Sequence, residues 1–325
     1  MHKQLQVKNG NFIVRVSFWL LLTLGLCFGS EREGLAEQAP RKMLKIIVER
    51  EGESSRFFVK NLEETEITVT FEMDLVNLKG STNFPHTAAY PGQQTTEAFT
   101  LAPIQPDQKW DYTYTSYYTM GSCDARHDDS YVYSLPYATG DSHKVTQGHN
   151  GSYSHTGAEQ YAIDWRMPVG TPVHAARSGV VAKVKDDSSK GGGDRKYESC
   201  ANYILIRHDD GTLANYAHLQ KGGSRVVVGQ TVEEGACIGL SGSTGFSTGP
   251  HLHFAVFKTR DGRQRESIPV RFKTSDSAAT SLVEGKTYKS FATATSSRKA
   301  LVAAHSKEGN APPNIGSPSP DQLVP

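Results

Sequence analysis

Two-residue alternation of apolar and polar side chains recurs along the chain and limits the fold more than any other feature. In Glu66–Leu75, Ile67, Val69, Phe71 and Met73 alternate with polar neighbours. Successive side chains of a strand point to opposite faces, so this pattern specifies a half-buried strand rather than a helix. Met43–Arg50, Ser55–Val59 and Trp110–Tyr118 also read as strands. Pro85, Pro91-Gly92 and the prolines from Pro103 to Pro106 punctuate the runs, as turn residues do. Residues 41–120 are therefore expected to form a small antiparallel, β-sandwich-like domain.

A second strand-rich block spans 121–275. Its strands are expected at Gly179–Lys185, Tyr203–Arg207, Leu213–Leu219 and His251–Phe257. Between the first two lies Asp186–Arg195, which contains Gly191-Gly192-Gly193 and reads as a flexible loop. There is no internal repeat and no long amphipathic helix, so the fold class is mainly β. Ser, Ala and Thr dominate from about Ser275, and Asn310–Pro320 is rich in Pro and Ser. Residues 276–325 are expected to be a low-complexity, disordered tail.

At 325 residues the chain is long enough for one large or two modest domains. Lys and Arg number 35 and Asp and Glu 34, a net charge of +1. That balance argues against a nucleic-acid binder, which needs a basic face. At the N-terminus Lys3, Lys8 and Arg15 precede the apolar run Val16–Phe28. The run has the length of a secretory signal core and is short for a membrane span. Residues 1–36 are read as a signal peptide cut after Ala36 or nearer Gly29, with an uncleaved anchor as the alternative. The mature chain is expected to be exported, with no stable membrane span, in a periplasm or outside the cell. Cys123, Cys200 and Cys237 would then allow one disulfide at most. None belongs to a CxxC pair, which excludes a structural zinc ribbon.

The chemistry rests on histidines. In His251-Leu252-His253-Phe254 both imidazoles share one face of a strand and the apolar residues take the other. Asp164 lies opposite Ile163 and Trp165, and His218 opposite Ala217 and Leu219. Three segments thus present a metal-capable or proton-transferring face backed by an apolar one. The chain has no HExxH helix motif. Gly239–Gly249 lacks the Gly-Lys-Ser/Thr of a phosphate loop, and Ser241 has no Gly-x-Ser-x-Gly context. The pairs Asp128-Asp129 and Asp209-Asp210 read as solvated turns. His86, His127, His174, His208 and His305 read as ordinary histidines.

The frame around these residues is specific. Gly170-Thr-Pro-Val-His-Ala-Ala-Arg-Ser-Gly-Val-Val181 follows Asp164, and Gly239-Leu-Ser-Gly-Ser-Thr-Gly-Phe-Ser-Thr-Gly-Pro-His-Leu-His-Phe254 closes the block. From about His155 to Phe257 the chain resembles the catalytic domain of the M23 zinc metallopeptidases, the lysostaphin-like peptidoglycan endopeptidases. The resemblance implies a β-rich groove holding one zinc ion per chain. It makes Asp164 and His253 metal ligands, and His218 and His251 the non-ligand histidines that assist catalysis. The family spacing HxxxD would put the first ligand at Gln160, an amide that does not suit zinc. His155, in Ser154-His-Thr-Gly157, is the expected ligand, with His149 and His143 as alternatives. Tyr153 and Tyr161 flank it without an assigned role.

Three protein ligands leave a fourth position for water, as catalytic zinc sites do. The resemblance therefore implies an exported endopeptidase that cleaves peptidoglycan stem or cross-bridge peptides. The alternative is a non-catalytic protein of the same fold that binds or activates a partner cell-wall hydrolase. A further alternative is a secreted binding or adhesion protein, which would purify without stoichiometric zinc.

Overall fold

Extended strands carry nearly all regular structure in the computed structural model, which describes residues 6–8, 11–14 and 43–291. Ile67–Val76 pairs antiparallel along its whole length with Asp111–Met120 and, on its other side, with His86–Tyr90. Asn11–Val14 and Gln6–Lys8 extend the outer edge of Asp111–Met120. Leu44–Glu51, Ser54–Asn61, Thr95–Pro103 and Leu78–Gly80 form a second sheet in that order. The two sheets share one core, with Phe57, Val59, Phe99 and Leu101 facing Ile67, Val69, Phe71 and Tyr114. Phe57 stacks on Phe99 at 4.6 Å and Phe71 meets Phe99 edge-on at 5.1 Å, the offset and T-shaped geometries that ring quadrupoles favour.

A nine-stranded sheet organises the second block. Its central strands run Gly179–Lys185, Tyr203–Arg207, Leu213–Ala217, His251–Thr259, Ile163–Arg166 and Ser142–Gln147 in spatial order. One face packs Ile163, Trp165, Ile204, Ile206, Tyr216, Phe254 and Val256 into a large core. By alternation, Leu205, Leu213 and Phe257 turn to the opposite face, where they meet Met120 and Ala182 in a separate cluster. Polar bonds join the same region: Thr259 Oγ1 donates to the Met120 carbonyl at 2.6 Å, and Gly262 N donates to Thr70 Oγ1 at 2.9 Å. Thr68 and Thr70 occupy the polar positions of their strand pattern, yet both are buried because the second block covers them.

Two expectations change. Gly191–Gly192 is not loose but pairs as a short parallel strand with Gly245–Phe246. A Cβ on Gly191 would lie 2.1 Å from the Ser243 carbonyl, so only glycine allows this approach. Part of the segment 276–325, expected to be disordered, forms strands. Ser277–Thr280 pairs with Arg271–Thr274, and Thr287–Lys289 pairs with the strand that begins at Ser142. Backbone ladders form without apolar side chains, so composition alone hides these strands. Residues 292–325 lie outside the described residues, as does the segment read as a signal apart from 6–8 and 11–14. No helix among the described residues is long and apolar enough to cross a membrane. Cys123, Cys200 and Cys237 are free thiols.

Candidate metal centre

Strand register builds the centre. Asp164 stands directly opposite His253, which stands opposite Ala217 on its other side. On the far side of Asp164 a register shift after Val145 brings Gln147 opposite it, as a bulge re-aims a side chain. The row Ala217, His253, Asp164, Gln147 therefore crosses four strands on the face away from the core. Cross-strand partners on one face are close enough for their side chains to meet. His253 Nδ1 lies 2.9 Å from Asp164 Oδ1, and Gln147 Nε2 donates to Asp164 Oδ2 at 3.2 Å.

His155 arrives from outside the sheet. Eight residues separate it from Asp164, and they make a tight excursion through the 3-10 turn Gly157–Glu159, with Gly157 at φ +58°. The His155 ring is fully buried. Its Nδ1–H donates to the Gly148 carbonyl at 2.9 Å, since a carbonyl oxygen only accepts. Nε2 is the other ring nitrogen, and it faces Asp164 Oδ1 at 3.2 Å. It has no hydrogen-bond partner of its own. With the ring neutral, these two atoms are both acceptors, an arrangement that a proton or a metal ion between them relieves. His155, Asp164 and His253 each offer a ligand atom, all within 4.8 Å of one another. Two imidazoles and a carboxylate are donors of the kind that zinc takes, so the residues present fit that ion.

The charges agree. Burial would push the Asp164 carboxyl up, but contacts with His155 and His253 hold it well below the usual carboxylate range. Burial would lower His253, yet Asp164 and Glu159 outweigh it and raise its pKa to about 10. Both groups thus favour a positive charge at this point, which a proton or a metal ion can satisfy.

Two further imidazoles face the same space. The expected strand stops at Ala217, and His218 adopts a left-handed φ of 64°. That turn, not strand alternation, brings its ring to within 5.7 Å of the His253 ring, centroid to centroid, and 4.6 Å of the His251 ring. His218 Nδ1–H donates to the Thr244 carbonyl at 2.7 Å, and His251 Nδ1–H to the Gly249 carbonyl at 2.8 Å. Both therefore present Nε2 to the cleft. Burial, then the neighbouring His251 and His253, lower the His218 pKa to about 3, which keeps its ring neutral. The cleft has a volume of about 590 Å³, and Tyr153, Arg166, Arg195, Asn215 and Phe246 contribute to its walls.

The match to known proteins falls on this block. The model of Peptidase family M23 matches residues 158–266. The similarity to that family thus covers about a third of this chain. ShyA of Vibrio cholerae, named a peptidoglycan DD-endopeptidase, is 41% identical over 99 residues, covering 30% of this chain and 20% of its own. Lysostaphin of Staphylococcus simulans is 42% identical over 99 residues, covering 30% of this chain and 18% of its own. The crystal structure of the lysostaphin catalytic domain aligns at 30% identity with a TM-score of 0.28, over 39% of this chain and 88% of that one. This chain thus spans about a fifth of the length of the curated relatives it matches.

His155 lies before the matched segment of the M23 domain, and the fold brings it to Asp164 and His253. His149 and His143 do not join them. His149 packs edge-on against Tyr161 at 5.5 Å, and His143 Nδ1–H donates to the Arg166 carbonyl at 3.1 Å. Gln160 turns away and donates to Asn150 Oδ1 at 2.8 Å. Of the two flanking tyrosines, Tyr153 lines the cleft and Tyr161 lines a separate cavity. Gln147 and Glu159, whose polar atoms touch Asp164 and His253, belong to no motif in the sequence. The one available signal was an isolated acidic residue inside the His155–Asp164 excursion.

Proposed function

We propose that the chain is an exported, zinc-dependent endopeptidase that hydrolyses peptide bonds in peptidoglycan stem or cross-bridge peptides. The observation that carries the reading is the convergence of His155 Nε2, Asp164 Oδ1 and His253 Nδ1 beside two more histidines whose Nε2 atoms face the cleft. His155, Asp164 and His253 hold one zinc ion. Bound there, zinc supplies Lewis acidity that polarises the scissile carbonyl and acidifies a water. The remaining chemistry belongs to side chains. His218 and His251, each anchored through Nδ1, have a free Nε2 to accept the proton of the attacking water and return one to the leaving amine. The open cleft admits an extended peptide past these atoms. The similarity to ShyA and lysostaphin supports a cell-wall substrate, and the basic and apolar N-terminal segment supports export.

Digestion of purified sacculi tests the reading, with products identified by mass. Soluble peptide fragments are expected, and a chelator is expected to abolish them. Intact sacculi after incubation with zinc-loaded protein would instead favour a non-catalytic partner of a cell-wall hydrolase.

A further inference from the structure

Each of the three ligands proposed above is gripped at its far side. His155 is held by the Gly148 carbonyl, Asp164 by Gln147, and His253 Nε2 by Glu159 Oε2 at 3.3 Å. Glu159 is the charged member of this set. Its other oxygen accepts from Arg265 Nη2, so the carboxylate is fixed from both sides and one quarter exposed, at 26%. It occupies the 3-10 turn Gly157–Glu159, inside the excursion that displaces His155 from the compact spacing. Arg265 belongs to Arg265–Ser267, a strand that pairs with the His251–Thr259 strand carrying His253. Tyr161 N donates to Ser267 Oγ at 3.0 Å and ties the excursion to that strand. The inserted residues thus lie against the far side of His253.

We propose that Glu159 is a positioning residue of the metal centre, accepting the Nε2–H of His253 so that the bare Nδ1 faces the metal. The inference rests on the zinc reading above. An imidazole ligand has two usable nitrogens, and the hydrogen bond at one decides which lone pair is free at the other. A carboxylate at Nε2 also raises the basicity of the ring, and loss of such partners typically weakens metal binding ten- to hundredfold. Arg265 offsets the charge of Glu159 and prevents it from swinging into the cleft as a competing ligand. The insertion therefore supplies two groups to the centre: His155 before it and Glu159 within it.

The test measures zinc affinity of metal-free protein by competition with a chromophoric chelator, with circular dichroism as the check on folding. Wild type is expected to bind one zinc, E159A ten- to hundredfold more weakly, and E159Q, which keeps an acceptor oxygen, between them. Removing Glu159 also leaves Arg265 unpaired, so E159A/R265A is measured beside it and is expected to remain weak. Affinity within twofold of wild type in folded E159A overturns the proposal. Recovery of full affinity in E159A/R265A overturns it too, because the loss then came from the orphaned guanidinium. If E159A does not fold, the near-isosteric E159Q decides by the same twofold criterion. Wild-type protein that binds no zinc would reject the metal centre itself, an outcome separate from either of these.

Discussion

A histidine whose two nitrogens have different fates tells more than its proximity to other ligands. In His155 one nitrogen is committed to a carbonyl, so with the ring neutral the other, wholly buried, faces a carboxylate oxygen as a second acceptor. Such an acceptor pair is costly to bury unless a cation joins it. His155→Ala is therefore predicted to lose both zinc and hydrolysis, whereas His149→Ala and Gln160→Ala keep zinc; metal analysis of the purified variants checks this. One zinc per chain in His155→Ala would reject the assignment. Asp164→Ala and His253→Ala are likewise predicted to purify without zinc. His218 and His251 make the contrasting case, since neither belongs to the three-residue group. His218→Ala is predicted to retain zinc and lose about 10²–10⁴-fold in turnover, and a zinc-free His218→Ala protein would contradict it. His155 and His218 reach the site by an excursion and a left-handed turn; Asp164, His251 and His253 were legible because alternation names the face and residue type names the chemistry. Gln147 and Glu159 were not, since a bulge and an excursion aim them, and neither leaves a periodic trace.

At the scale of elements, the turn between Tyr203–Arg207 and Leu213–Ala217 shows how a polar pattern misleads. Asp209-Asp210 reads as a solvated pair. Instead Arg177 Nη1 donates to Asp210 Oδ2 at 2.7 Å, while Asp210 Oδ1 accepts from Thr212 N at 3.0 Å. Beside them His208 is buried, and its Nδ1–H donates to the Ser178 carbonyl at 2.9 Å. Burial outweighs that bond and lowers the His208 pKa to about 4. The unfolded chain, with its histidine near 6.5, takes up a proton at a pH where the folded one does not. This contribution is therefore intact above about pH 6.5 and is lost as pH falls toward 4. Asp210, brought down to about 2 despite its partial burial, acts in a lower window. Its stabilisation is present above the ordinary aspartate range near pH 3.9 and fades below it. Between pH 7.5 and 4.5 the wild type is predicted to lose roughly 2–3 kcal/mol more stability than His208→Gln. Denaturant titrations of both proteins at the two pH values measure this difference, and equal losses would remove His208 as the cause. His208 lies outside the His155–Asp164–His253 group, so any metal release at low pH is common to both proteins.

For the whole molecule, we propose a division of the chain near residue 120 into two β-rich lobes that unfold together. Each has its own core, so the sequence pattern suffices to find both. Their contact is invisible to it, because the buried surface includes the threonines at 68 and 70, residues that alternation assigns to solvent. The contact is nonetheless well built. Phe257, Leu205 and Leu213 bury against Met120. Arg263 lies over the Tyr117 ring at 3.6 Å and pairs with Glu72 at 2.7 Å. Gly262 allows the close approach: a Cβ there would lie 2.3 Å from the Tyr117 carbonyl and 2.8 Å from Thr70 N. Trp110 packs on the first core and Trp165 is buried in the second, so each reports on one lobe. With Trp19 substituted, Trp165→Phe leaves the first reporter and Trp110→Phe the second. Both are predicted to show one shared thermal midpoint, because apolar burial at the contact makes each lobe stabilise the other. Gly262→Val has to push the lobes apart and is predicted to separate the two midpoints, with the Trp110 signal melting first. Two well-separated midpoints in the parent single-tryptophan proteins would mean that the interface contributes little, and that the first lobe is tethered beside the peptidase domain rather than built onto it.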